Sequence, residues 1–348
     1  MIPASLIPMA EPIPVPWAWF DVLLILTFTA HILFMNALLG SAAIGLVRTV
    51  RGNDGLMHDV GQKLPPLLAL TINMGVAPLL FLQVNYGHFD YVSSVLMGGW
   101  WLGVIAALLF SYYGFYAYKF KYDAMSPGRR NTLFVLSLAG LLYVGFMLTN
   151  NTTLMLLPAA WTQYFENNGA AFLNWGDPTL FPRFLHFMLG SIALGGLFVA
   201  LLGQWRKIDE YVDSGMAWLT RATLVNLAVG MWFLIALPRD IMLGFMGGNL
   251  PATLTLVTSL LASAMLLAAG FQKQPKRAAT WAVLTVFFMS CTRHWVRTFF
   301  LAPWFRIEDT PVTHQYSSLY LFLGFLVVGL ALTGYMLKLY FKSRQGRA

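Results

Sequence analysis

The chain has 348 residues, 58% of them hydrophobic and only 10% charged, with a formal net charge of +8. So few charges cannot solvate the surface of a globular protein of this length, which excludes an ordinary soluble enzyme. Nor does the positive balance point to nucleic acid, because the basic residues are spaced as a membrane protein spaces them.

Apolar stretches long enough to cross a bilayer recur near 17–48, 64–87, 95–119, 131–156, 181–204, 214–238, 250–271, 277–302 and 315–340; about twenty such residues suffice for one crossing. They predict an all-α integral membrane protein of nine spanning helices, in one polytopic domain over 17–342. An outer arm at 1–16 precedes that domain, and a cytoplasmic tail at 343–348 follows it. The arm is Pro-rich and lacks a basic n-region, so it reads as a surface arm rather than a cleaved signal. Seventeen of the 22 Lys and Arg fall in segments that alternate onto one side, from Arg48, Arg51 and Lys63 to Lys338, Lys342, Arg344 and Arg347. That asymmetry places the N-terminus outside and the C-terminus in the cytoplasm, in a multi-pass protein in contact with lipid. The other five basic residues are all Arg: Arg183, Arg239, Arg293, Arg297 and Arg306. Interfacial anchoring by snorkelling and a functional role stand side by side for them.

Helix one carries His31 about 20 Å from its outer end at 1.5 Å per residue, with no charged neighbour within two turns. Imidazole in hydrocarbon is costly, which favours a ligand or proton relay over a structural bond to a carbonyl or hydroxyl. Helix two contains Pro78, a kink candidate, and ends near His88. The segment 157–180, with Trp161, Tyr164, Phe165 and Trp175, reads as an interfacial cap on the outer face. Helix five places Arg183 and His186 at i, i+3 on one face, followed by Gly190, Gly195 and Gly196. Those glycines admit either a flat macrocycle or a neighbouring helix. Helix eight brackets His294 with Arg293 and Arg297. Two arginines in a spanning helix need anions, either haem propionates or the acids Asp240, Glu308 and Asp309.

His31, His186 and His294 are therefore the candidate haem-iron ligands, and Arg183, Arg239, Arg293 and Arg297 the candidate propionate partners. His88, His314, Met188, Met231, Met242 and Met246 are further candidate ligands, whereas His58 lies on the inner side and reads as incidental. The single cysteine, Cys291, excludes an intramolecular disulfide, a CxxCH haem attachment and a thiolate cluster. Asp21 is the main acid in a span, too little for an acid-relay pump, and nucleotide-loop, HExxH and GxSxG motifs are missing.

At these residues the chain resembles subunit I of the cytochrome bd quinol oxidases. TAHILFMNALLG in helix one is similar to that family's FHFLFVPLTLG-type segment, and INMGVAPLLFLQVNYG in helix two to its NFxMGVxxGLxxxFQFG-type segment. RFLHFMLGSIALGGLFVALLG in helix five is similar to the segment holding the low-spin haem b ligand. The resemblance covers roughly 17–90 and 180–205, and implies ligand roles for His31 and His186. The departures matter as much. Only Asp240–Pro251 joins helices six and seven, where the oxidases carry a long quinol loop, and helix three has no Asp or Glu between Val95 and Lys119. Cys291 stands near the position of a glutamate ligand, and helix seven lacks the Arg-x-Met that supplies a second axial ligand. Oxygen reduction is therefore not carried over. The expectation is a subunit of a respiratory-type oxidoreductase binding one or two haems b. It would exchange electrons near the outer face with a c-type cytochrome or other redox subunit, with or without a second membrane subunit. A haem-free transporter or anchor, and a quinol-reactive oxidase-like enzyme, are the alternatives.

Overall fold

A computed structural model describes residues 3–52, 54–166 and 171–345. Most of those residues are helical, with an isolated bridge between Ile13 and Val312. In chain order the helices are α1 (Trp17–Val50), α2 (Gly55–Gly61), α3 (Leu64–Met97), α4 (Gly99–Phe120), α5 (Pro127–Leu156), α6 (Thr162–Glu166) and α7 (Leu180–Arg206). They continue with α8 (Asp209–Ala236), α9 (Arg239–Leu243), α10 (Leu250–Phe271), α11 (Pro275–Leu301) and α12 (Ser317–Gln345). Eight are long and apolar enough to cross a membrane. The exception among the long ones is α11, which has 27 residues but carries Lys276, Arg277, Arg293 and Arg297. Large apolar side chains on α3, α4, α8 and α10 face outward, as lipid-facing surfaces do and aqueous ones rarely do.

Three expectations shift. Helix two continues past residue 87 to Met97, so His88 lies inside α3 rather than in an outer loop. Its backbone break falls at Tyr86 (φ −136°, ψ 21°), eight residues beyond Pro78. The link between α8 and α10 is also ordered: α9 runs into a π-helical turn at Gly244–Gly248, closed where Gly247 adopts φ +106°. Finally, α12 runs to Gln345, so most of the expected tail is helical. Its residues 346–348 with Arg347, residues 1–2 of the arm and 167–170 of the interfacial cap lie outside the described residues.

The N-terminal arm is pinned, not free. Ile13 N donates to Pro311 O at 2.9 Å and Gln315 N to Pro14 O at 2.7 Å, tying it to the α11–α12 connection. At that arm end a core of Tyr86, Phe89, Trp161, Phe245 and Phe300 is buried. At the opposite end the basic residues find acids: Arg48 pairs with Glu210, Arg206 with Asp59, and Lys273 with Asp213 at 2.7 Å. By contrast α12 is solitary, its chief ring contact being Phe322 on Phe81 at 5.7 Å.

Close backbone approach sets the positions of α1, α7 and α8. A Cβ on Gly40 would stand 2.9 Å from the Cα of Gly195, and one on Gly196 would stand 2.6 Å from the carbonyl oxygen of Gly215. Two of the three helix-five glycines thus serve helix packing, as small residues do between membrane helices. Gly195→Val should cost about 1–3 kcal/mol through forced separation of α1 and α7. A thermal melt in detergent checks this, and an unchanged midpoint would show the crossing to be pliable.

Candidate functional site

Five helices, α1, α7, α8, α10 and α11, enclose an inward space that His186, Arg183 and Arg293 all line. The cavity volume is about 230 Å³. That is below the roughly 300–1,000 Å³ of an ordinary ligand cleft, so a large flat ligand would need the surrounding helices to part. Local sequence places the first two side chains. Asp177 Oδ1 accepts from Thr179 N at 2.7 Å to start α7, and the helical i, i+3 spacing then aims Arg183 and His186 to one side. Gly230 of α8 makes room for the imidazole, since a Cβ there would stand 3.1 Å from His186 Cε1.

The walls are apolar (Phe28, Ile32, Phe187, Leu194, Phe233, Leu256 among them), but five of the lining residues carry a buried polar atom without a hydrogen-bond partner. These atoms are Asn36 Oδ1, Arg183 Nε, His186 Nδ1, Asn226 Oδ1 and Thr285 Oγ1. His186 lies beside Asn226, yet neither of those two atoms makes a bond of proper geometry. An unpartnered buried polar atom costs about 1–3 kcal/mol, so five around one space mark a place for polar ligand groups. Neither arginine of the cavity forms an ion pair among the described residues. Arg183 lies over the Phe233 ring at 4.8 Å and Arg293 over Phe28 at 4.4 Å.

The other expected residues go elsewhere. Arg297, 4% exposed, donates from Nη2 to Asp21 Oδ1 at 3.0 Å and lies over Tyr86 at 4.6 Å. His294 Nδ1 stands 2.6 Å from Asp21 Oδ2, close but outside hydrogen-bond alignment. Arg297 therefore has a carboxylate of its own, and that acid is none of Asp240, Glu308 and Asp309. His31 Nδ1 donates to the carbonyl of Thr71 at 3.0 Å, and its ring packs on Gly75 of α3, away from the cavity. Asp21, which holds His294, and His31 are ten residues apart on α1, about 15 Å along its axis, and the two imidazoles face different helices. They do not converge on one centre.

Arg239 is exposed, as are Met231 and Met246; of the expected methionines only Met231 lines the cavity. His88, expected just beyond the end of helix two, is instead wedged between Phe89 and Phe305, at ring distances of 4.3 and 4.6 Å. His314 is exposed at φ +57°. Asn36, Asn226, Thr285 and Met289 also line the cavity. Sequence reasoning passed over them, although an Asn inside each of FMNALLG and LVNLAVG was a legible sign.

Among the described residues no three His, Cys, Asp or Glu side chains gather as a metal cage. A haem asks for less: one imidazole, cations for two carboxylates and an otherwise apolar slot. His186, the unpaired Arg183 and Arg293, and the partnerless atoms around them fit that group. His31 and His294 lie outside this cavity. No protein-family model, curated protein or solved structure matches the chain.

Proposed function

We propose that the chain is a haem b-binding membrane subunit of a respiratory-type oxidoreductase, with a haem seated in the cavity between α1, α7, α8, α10 and α11. The convergence of His186, Arg183 and Arg293 on one apolar space with five partnerless polar atoms carries this reading. Bound there, haem iron would supply one-electron exchange without proton chemistry of the protein's own.

In this reading His186 holds the group through a ring nitrogen, and Gly230, by lacking a Cβ, leaves the imidazole its place in the wall. Arg183 and Arg293 neutralise the acidic side chains, and Phe233 and Phe28 beneath them hold each guanidinium in place. The remaining wall is apolar and keeps water from the group. In the proposed orientation the basic end is cytoplasmic, α11 crosses the membrane as the ninth span, and the arm end faces outward in a bacterial inner membrane. Arg183 stands three residues from the arm-end start of α7. Electrons would thus pass near that end, to or from a c-type cytochrome or another redox subunit.

The test is a reduced-minus-oxidised pyridine haemochrome spectrum of the purified protein. A b-type signal is expected, and haem-free protein from haem-replete cells would leave a transporter or anchor as the better reading. Arg183→Leu and Arg293→Leu should each weaken haem retention about 10–100-fold, since a hydrogen bond to a charged group contributes roughly 1.5–3 kcal/mol. Competition against apomyoglobin measures this; retention equal to wild type would remove that arginine from the site.

A further inference from the structure

The cavity has a mouth, and its position says how the occupant arrives. Of all the residues lining it, only Met231 on α8 and Leu260 on α10 are exposed, at 50% and 41%. The other seams are shut: α1 is tied to α11 where Thr29 Oγ1 donates to Ser290 Oγ at 3.1 Å and where Asp21 meets Arg297 at 3.0 Å. Gly40 against Gly195 brings the α1 and α7 backbones together, Gly196 against Gly215 does so for α7 and α8, and α10 packs along α11. Toward the arm end the space is capped by buried Leu237, Phe245 and Val296; deeper in the bundle, by Ala193, Leu266 and Ala282. The gap between α8 and α10 is the side left open.

That gap lies well inside two membrane-length helices. Leu260 is ten residues from the start of α10 and Met231 five residues from the end of α8, about 15 Å and 8 Å of helix respectively. The exposed side chains around it are Leu224, Trp232 and Ile235 on α8, and Leu254, Val257 and Leu261 on α10. None is charged. A mouth of that composition at that depth opens onto acyl chains rather than water.

We propose that the cavity is filled sideways from the hydrocarbon of the bilayer, through a slot between α8 and α10 gated by Met231 and Leu260. The ligand class is then a lipid-dissolved amphiphile with an apolar body and acidic groups, the acids ending on Arg183 and Arg293. Identification of that amphiphile with haem rests on the function proposed above; the lateral slot itself does not.

Two measurements on the full chain in nanodiscs separate these claims. With Cys291 replaced by Ser, bimane attached at Met231→Cys or Leu260→Cys should be quenched at least twofold by acyl-chain-brominated lipid and little by aqueous iodide. The reverse order would overturn the lateral slot, whatever the ligand. In the second, hemin dissolved in phosphatidylcholine vesicles is offered to haem-stripped protein. The Met231→Trp/Leu260→Trp variant should take up hemin, and lose it to apomyoglobin, at least tenfold more slowly than the unsubstituted protein. A narrowed slot slows both directions, whereas a damaged site would release hemin faster. Unchanged uptake, or faster loss, overturns the gate. Failure of the unsubstituted protein to bind hemin would instead defeat the haem reading, and leave the quenching result to decide the slot.

Discussion

Asp21→Ala should destabilise the protein by about 3–5 kcal/mol, the usual consequence of removing one partner from a buried ion pair. Asp21 is 4% exposed and faces Arg297, equally buried, with His294 on its other oxygen. Without the carboxylate, a guanidinium would remain in the interior of α11 with only the face of Tyr86 to meet it. At roughly 2–4 °C per kcal/mol for a domain of 150–250 residues, the melting midpoint should fall by something near 10 °C. The double variant Asp21→Ala/Arg297→Leu should recover much of that loss, because it removes the stranded charge along with its partner. A single variant melting within a degree or two of wild type would mean that water or lipid headgroups reach Arg297, and that the triad does not tie α1 to α11.

This triad also shows where reading the chain reaches its end. Hydropathy locates the helices because a bilayer admits few other backbones and a crossing needs about twenty apolar residues. It cannot say which helices touch. Asp21 and Arg297 are 276 residues apart, and no local period links them, so Arg297 reads from sequence as an unmet cation. The same blindness put His31 and His294 on one list of ligands with His186; depth along a helix was legible, azimuth was not. By contrast Arg183 and His186 were readable as a pair, because i, i+3 spacing fixes relative direction without knowledge of the rest of the fold. Boundaries slipped where polar residues continue a helix under tertiary cover. His88 and Asp90 extend α3 past its apolar stretch beneath Phe305 and beside Asn151, and Arg239–Gly248 folds into two short helical turns where a plain loop was the simpler expectation. The glycines of helix five illustrate an ambiguity only coordinates divide: Gly195 and Gly196 serve α1 and α8, while Gly190 lines the cavity.

Replacing the three histidines in turn should give unequal results, and the inequality is the sharpest consequence of the geometry. His186→Gly is expected to eliminate the haem held in the cavity, because among the described residues His186 is the only imidazole that lines it. Added imidazole should restore part of the spectrum, since the ligand would return to a space still flanked by Gly230, Arg183 and Arg293. His31→Ala should leave that spectral component in place: its Nδ1 serves the Thr71 carbonyl on the far side of α1. His294→Ala should also leave it, but with a lowered melting temperature, because Asp21 would lose one of its two partners. Pyridine haemochrome stoichiometry and a melt on each variant decide the matter. Loss of the same component in all three would imply a centre shared by helices whose histidines here face apart. Retention in His186→Gly without imidazole would remove the axial ligand on which the haem assignment depends, leaving the arginines and amides of the cavity to be explained by a ligand without iron.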